Sequence, residues 1–201
     1  MTDRCYDAIV VGARCAGSPT AMLLARKGYR VLLVDRAHFP ADTVSTHLVH
    51  APGVAALDRW GLLDRLAATG CPPISTYAFD LDPLTIAGTP PPAGDTAVAY
   101  CPRRTVLDKL LLDAAGEAGA EIREGFTLSE LVVEDDIVVG IRGHGRGGSS
   151  LVERARVVIG ADGAHSQVAG AAGAARYHDK PMLAVAYYSY WSGIPATTPA
   201  G

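Results

Sequence analysis

The sequence predicts an α/β fold: a parallel βαβ unit at the N-terminus, an excursion of short strands and loops, a long helix, and a three-stranded antiparallel β-meander. Three observations carry this. Tyr6–Val11 and Val31–Val34 are continuous apolar runs, as strands buried on both faces require. Between them Ala21, Leu24 and Gly28 recur at helical spacing. Farther on, Leu128–Val133, Ile137–Ile141 and Ala155–Gly160 return to strand character, divided by turn residues.

The elements follow in order. The first strand ends at Gly12, a helix spans about 17–27 with Gly28 as its stop, and the second strand ends in Asp35. A polar loop covers 36–48, and a helical stretch lies around 53–66. Residues 70–100, rich in Pro, Gly and Thr, read as the excursion, with Pro90–Pro92 stiff and extended. The stripe Leu107, Leu110, Leu111 and Ala114 predicts a helix over 105–119. Glu134-Asp135-Asp136 and the glycine-rich 143–150 supply the meander's turns, and 182–191 reads as one more strand.

Composition narrows the function classes. A chain of 201 residues, 49% hydrophobic and 19% charged, is globular rather than disordered. The net charge of −3, with no basic stripe, argues against nucleic acid as a partner. No apolar run nears the roughly 20 residues of a membrane helix, and the N-terminus lacks signal-peptide architecture. Cys5, Cys15, Cys71 and Cys101 are scattered without a CxxC pair, so reduced thiols in a cytoplasmic protein are expected. Nucleophile elbow, metal-ligand cluster and Walker lysine are all missing.

The chemistry starts at Gly12-Ala13-Arg14-Cys15-Ala16-Gly17. A diphosphate needs bare backbone N–H groups and the positive end of a helix dipole. Gly12 permits the sharp turn and Gly17 brings helix close to sheet. The middle position, usually glycine, is Arg14, a cation placed where a diphosphate would lie. Asp35 stands 23 residues after Gly12, the spacing of a carboxylate that accepts hydrogen bonds from ribose hydroxyls. It would repel a 2′-phosphate, so FAD or NAD suits the site better than NADP. Arg36 serves equally as an adenine or phosphate contact or as a plain surface arginine.

Two later segments complete a pattern: Arg103-Arg104-Thr105-Val106-Leu107-Asp108 opening a helix, and Val158-Ile159-Gly160-Ala161-Asp162-Gly163-Ala164-His165-Ser166 leaving a strand. With the glycine turn and Asp35, these resemble the FAD-dependent monooxygenases of the para-hydroxybenzoate hydroxylase type and the related geranylgeranyl-reductase-like oxidoreductases. Val11–Ser18 and Asp42–His47 look most like the latter branch. The resemblance covers nearly the whole chain. It implies a Rossmann-like FAD-binding domain over 1–175, with the 70–100 excursion inside it, and the beginning of an incomplete substrate domain over 176–201.

It also implies roles. Gly12, Ala13, Arg14, Ala16, Gly17, Asp35, Arg36, Arg104, Gly160, Asp162 and Gly163 would bind the cofactor. Asp162 would approach the ribityl and diphosphate region, Arg104 (or Arg103 in its place) the flavin side, and 43–47 the isoalloxazine ring. Asp108, inside the helix, reads as structural. A histidine changes charge near neutral pH, which makes His47 the candidate catalytic group, with hydrogen bonding or capping as its other role. NADH or NADPH would be the reductant and a small aromatic, polyketide-like or isoprenoid molecule the substrate. Members of such a family continue for about as many residues again, so the chain reads as truncated, completed by a C-terminal partner chain or a homo-oligomer. An inactive FAD-binding module, half of a split enzyme, or an NAD-dependent enzyme remain as other readings.

Overall fold

The strand Val31–Asp35 (β2) packs beside Cys5–Val11 (β1), and both send alternate side chains into different cores. In the computed structural model, which describes residues 5–145, 147–178, 180, 185, 187, 189, 190, 192 and 193, this pair is the heart of a six-stranded sheet. Val10, Val31 and Leu33 enter one core with Ala21 and Met22 of helix Gly17–Arg26 (α1) and Leu107 and Leu111 of helix Arg104–Glu117 (α4). Ile9, Val11, Leu32 and Val34 enter the other, against Phe126, Leu128, Leu131 and Ile141. The period of two along each strand, with both faces covered, produced the unbroken apolar runs.

Between β2 and α4 the chain forms helices Ala51–Arg59 (α2) and Leu63–Ala67 (α3), then strands Pro73–Ile74 (β3), Tyr77–Asp80 (β4), Thr85–Gly88 (β5) and Ala99–Tyr100 (β6). The single helical stretch expected around 53–66 is two helices. Gly61, at φ 72°, takes the left-handed conformation that stops α2, and its N–H bonds back to Asp58. β4 and β5 form an exposed hairpin, and β3 pairs with β6, as the excursion predicted.

After α4 come Glu121–Glu124 (β7), Thr127–Glu134 (β8), Ile137–His144 (β9), Ser150–Gly160 (β10) and the short helix Gln167–Ala171 (α5). The sheet order is β7-β2-β1-β10-β9-β8. β10 carries two roles: its first half pairs antiparallel with β9, closing the three-stranded meander, and its second half runs parallel to β1. Gly160 therefore ends level with Val11, and the segments that follow both strands emerge together at one end of the sheet. Most of the strand expected over 182–191 lies outside the described residues; Val185, Tyr187, Ser189 and Tyr190 are described and belong to no strand.

β7 was not anticipated. Its sequence, Glu-Ile-Arg-Glu, has no apolar run; its backbone pairs parallel with β2, and its side chains are tied to β1 and β10. Arg123 bonds Glu153 at 2.5 Å and Glu121 at 2.8 Å, while the buried Tyr6 hydroxyl donates to Glu121 at 2.7 Å. Burial, then the bond to Glu121, pushes the Tyr6 phenol from 10.0 up to about 12. A raised folded-state value means this contribution is complete below pH 10 and is lost as pH climbs toward 12. Alkaline unfolding should therefore steepen in that window, and Tyr6→Phe should flatten it, as read by denaturant midpoints at pH 9 to 12.

Candidate functional site

Two turns that are far apart in sequence meet at the ends of β1 and β10. Gly12 sits at φ 102°, and its N–H bonds Val34 O at 2.8 Å. Ala161 N–H bonds Val11 O at 2.8 Å. The backbones touch so closely that a Cβ on Gly12 would lie 2.7 Å from the Ala161 carbonyl carbon and nearer still to its oxygen. A Cβ on Gly17 would lie 2.8 Å from the Gly12 carbonyl carbon and overlap its oxygen. The glycine turn and the Gly-Ala-Asp-Gly turn are thus one structure, and glycine is required at 12 and 17 because backbone fills the space.

Helix α1 opens from this turn without a capping side chain and without an acid in its first turn. Its positive end is left for an anion. Ser18, fully buried, anchors the turn by donating to Ala13 O at 2.8 Å. Asp35 completes the frame. One carboxylate oxygen accepts Ala13 N–H at 2.7 Å and the other accepts Ala37 N–H at 2.8 Å. A carboxylate offers about four lone-pair sites, so Asp35 holds the turn and keeps acceptor capacity to spare. Arg36 is exposed and forms no ion pair among the described residues.

Arg14 does not extend freely into solvent. Its guanidinium bonds Asp108 at 2.6 Å, lies 5.3 Å from the centre of the Phe39 ring and reaches Ala41 O at 3.5 Å. Asp108, fully buried in α4, also accepts from Arg104 at 2.9 Å and from the Cys15 thiol at 3.4 Å. Burial, and next the Asp108 charge, push Cys15 up to about 11. Desolvation works against the Arg104 charge, but the bond to Asp108 leads the opposing effects and the net change is upward. Asp108 itself was read as structural from sequence. Its i,i+4 spacing from Arg104, on the same side as the leucine stripe, was the signal available.

Asp162 turns inward. Its carboxylate accepts Ser166 Oγ at 2.5 Å, Gln167 N–H at 2.7 Å and Val168 N–H at 3.2 Å, closing the start of α5. A Cβ on Gly160 would come within 2.9 Å of Val168, so Gly160 lets α5 pack on the end of β10. Gly163 sits at φ 89° with open space around it. Ala16 is exposed at the mouth of the glycine turn.

A second cluster surrounds the loop after β2. His47 is buried at φ 60°, and its Nε2 lies 2.6 Å from the Tyr190 hydroxyl. Arg103 stacks 4.4 Å from the centre of the Tyr190 ring and bonds Asp42 at 2.7 Å, which holds the Asp42 carboxyl below the usual carboxylate range. A histidine in the left-handed region is uncommon and marks a position held by its surroundings. Tyr190 escaped sequence reasoning because it joins residues far apart in the chain.

A glycine turn at an uncapped helix end, a carboxylate fixed on it and a second turn locked beside them are the layout of a dinucleotide-binding fold. The chain belongs to the FAD binding domain family, which matches residues 5–189, and the fold is that of the FAD-dependent oxidoreductases and monooxygenases. It is 32% identical over 197 residues to Protein FixC of Salmonella typhi, covering 92% of this chain and 43% of that protein. It is 35% identical over 182 residues to digeranylgeranylglycerophospholipid reductase of Methanosarcina mazei, covering 86% and 41%. Among solved structures it resembles the flavin-dependent monooxygenase PieE in complex with FAD and substrate, with TM-score 0.70 and 25% identity over 86% of this chain and 33% of that one. The chain spans about two fifths of the length of these curated relatives. Among the described residues no helix is long and apolar enough to cross a membrane, and no cluster could hold a metal ion.

Proposed function

We propose that this chain holds FAD for an NAD(P)H-dependent oxidoreductase that reduces a carbon–carbon double bond in an isoprenoid-like small molecule. The carrying observation is the glycine cradle: side-chain volume is excluded at Gly12 and Gly17, the helix end is uncapped, and Asp35 is fixed on the Ala13 N–H. These residues fit the ADP part of FAD. Gly12, Ala13, Ala16 and Gly17 hold the diphosphate, and Asp35 the ribose. Asp162, with Gly160 and Gly163, shapes the second turn against it; Arg104 lines the flavin side and Arg36 the outer edge. Bound there, FAD supplies two-electron transfer from NADH or NADPH to an acceptor. The 35% identity to digeranylgeranylglycerophospholipid reductase of Methanosarcina mazei supports the reductase branch.

His47 is the proton carrier in this reading, with its Nε2 in hydrogen-bond contact with the Tyr190 hydroxyl. His47→Gln should lower turnover by about tenfold or more, as expected for loss of an acid–base group, with FAD affinity nearly unchanged. An equal fall in both would assign His47 to binding.

The deciding experiment mixes the FAD-loaded chain anaerobically with NADH or NADPH and follows bleaching of the flavin, then adds an isoprenoid alkene and follows its return. Residues 1–175 would form the FAD domain and 176–201 would start the substrate domain. One rival is a binding module that needs a partner chain. Bound flavin that neither reductant bleaches would establish that rival.

A further inference from the structure

We propose that Asp108 is a positioning residue of the phosphate-binding turn: by pairing with Arg14 it draws that side chain out of the cradle, which is what allows a residue other than glycine at the turn's centre. The inference rests on the reading above, that the Gly12–Gly17 turn holds the FAD diphosphate. A side chain at the middle of such a turn crowds a pyrophosphate, and arginine is among the largest available. Among the described residues, the hydrogen bonds, ion pair and ring contact of the Arg14 guanidinium go to Asp108, Phe39 and Ala41, on α4 or on the loop after β2, and none goes to the turn or to α1. Asp108 is built for this. It is fully buried, anchored within its own helix by Arg104 at 2.9 Å, and it touches both central residues of the turn, Arg14 at 2.6 Å and Cys15 at 3.4 Å. A buried carboxylate flanked by two guanidiniums is costly to break by removing one partner, so the withdrawn conformation persists.

Asp108→Asn keeps the shape and removes the charge. FAD affinity is measured by fluorescence titration in the wild type, D108N, R14G and the double variant, with thermal melts confirming that each is folded. With Arg14 in place, D108N should weaken FAD about 30-fold, because the released arginine returns to the cradle. In the R14G background the same change should cost no more than about threefold, since nothing remains to withdraw; such coupling between touching residues is what a double-mutant cycle reads. Equal losses in both backgrounds, or no loss in either, would overturn the proposal. A second readout needs no flavin. Thiolate is the reactive form of cysteine, and the Asp108 charge contributes to the raised Cys15 value. The pH profile of Cys15 alkylation, followed peptide by peptide, should keep its plateau and move its inflection to lower pH in D108N. An unmoved inflection would show that Asp108 does not govern the turn. A wild-type chain that takes up no FAD would refute the underlying reading, and the thiol inflection would then decide the Asp108–turn contact by itself.

Discussion

Gly17→Val is expected to abolish FAD binding and to threaten the fold itself. The added Cβ meets backbone, the Gly12 carbonyl, and no rotamer relieves a clash with a peptide group. Either α1 moves away from the sheet or the Gly12 peptide rotates. The first opens the core of Ala21 and Met22; the second turns the Ala13 N–H on the same peptide away from Asp35. Overpacking at a tight site costs about 1–3 kcal/mol, occasionally more, and position 17 belongs at the upper end. Gly17→Ala should therefore lower the melting temperature clearly and weaken FAD by about 100-fold, where each factor of ten is about 1.4 kcal/mol. Gly28→Ala is the control. Its φ is 86° but nothing lies within 4 Å, so only the left-handed backbone penalty of about 1–2 kcal/mol applies. It should cost stability and leave FAD affinity as it was.

Asp35→Ala is the second large effect. It strips the acceptor from two backbone N–H groups, those of Ala13 and Ala37, and an unsatisfied donor of this kind costs about 1–3 kcal/mol when fully buried. Partial exposure of Asp35 lets water replace part of each bond, so about 2 kcal/mol of stability is expected in all. FAD should weaken by about 100-fold, since the ribose contact and the set of the turn are lost together. The nucleotide preference is a cleaner reading. The wild type should bind ADP at least tenfold more tightly than its 2′-phosphorylated form, because the carboxylate repels the extra phosphate. In Asp35→Ala that ratio should fall toward one. Competition titrations against bound FAD measure both.

What could be read from the sequence was whatever one element decides by itself. The runs at β1 and β2 announced their double burial, and the leucine stripe of α4 announced its buried side. The glycine turn and Asp35 were legible because turn geometry imposes residue type and spacing. Features made by distant partners were not. β7 is a strand because β2 needs an edge neighbour and because Arg123 finds Glu153; nothing within Glu-Ile-Arg-Glu says so. Arg14 was expected at the diphosphate as a spare cation, whereas the structure brings it to Asp108, 94 residues away. The meeting of Gly12 with Ala161 explains why glycine stands at 12, yet it depends on β10 lying parallel to β1.

The most direct test is equilibrium FAD binding by the purified chain, with ADP and riboflavin as competitors. A flavin spectrum near one FAD per monodisperse chain, displaced by ADP and not by riboflavin, is the predicted result, because the Gly12–Gly17 turn and Asp35 grip the adenosine diphosphate end. A chain that stays colourless with added FAD, or whose flavin is displaced by riboflavin but not by ADP, would contradict the account.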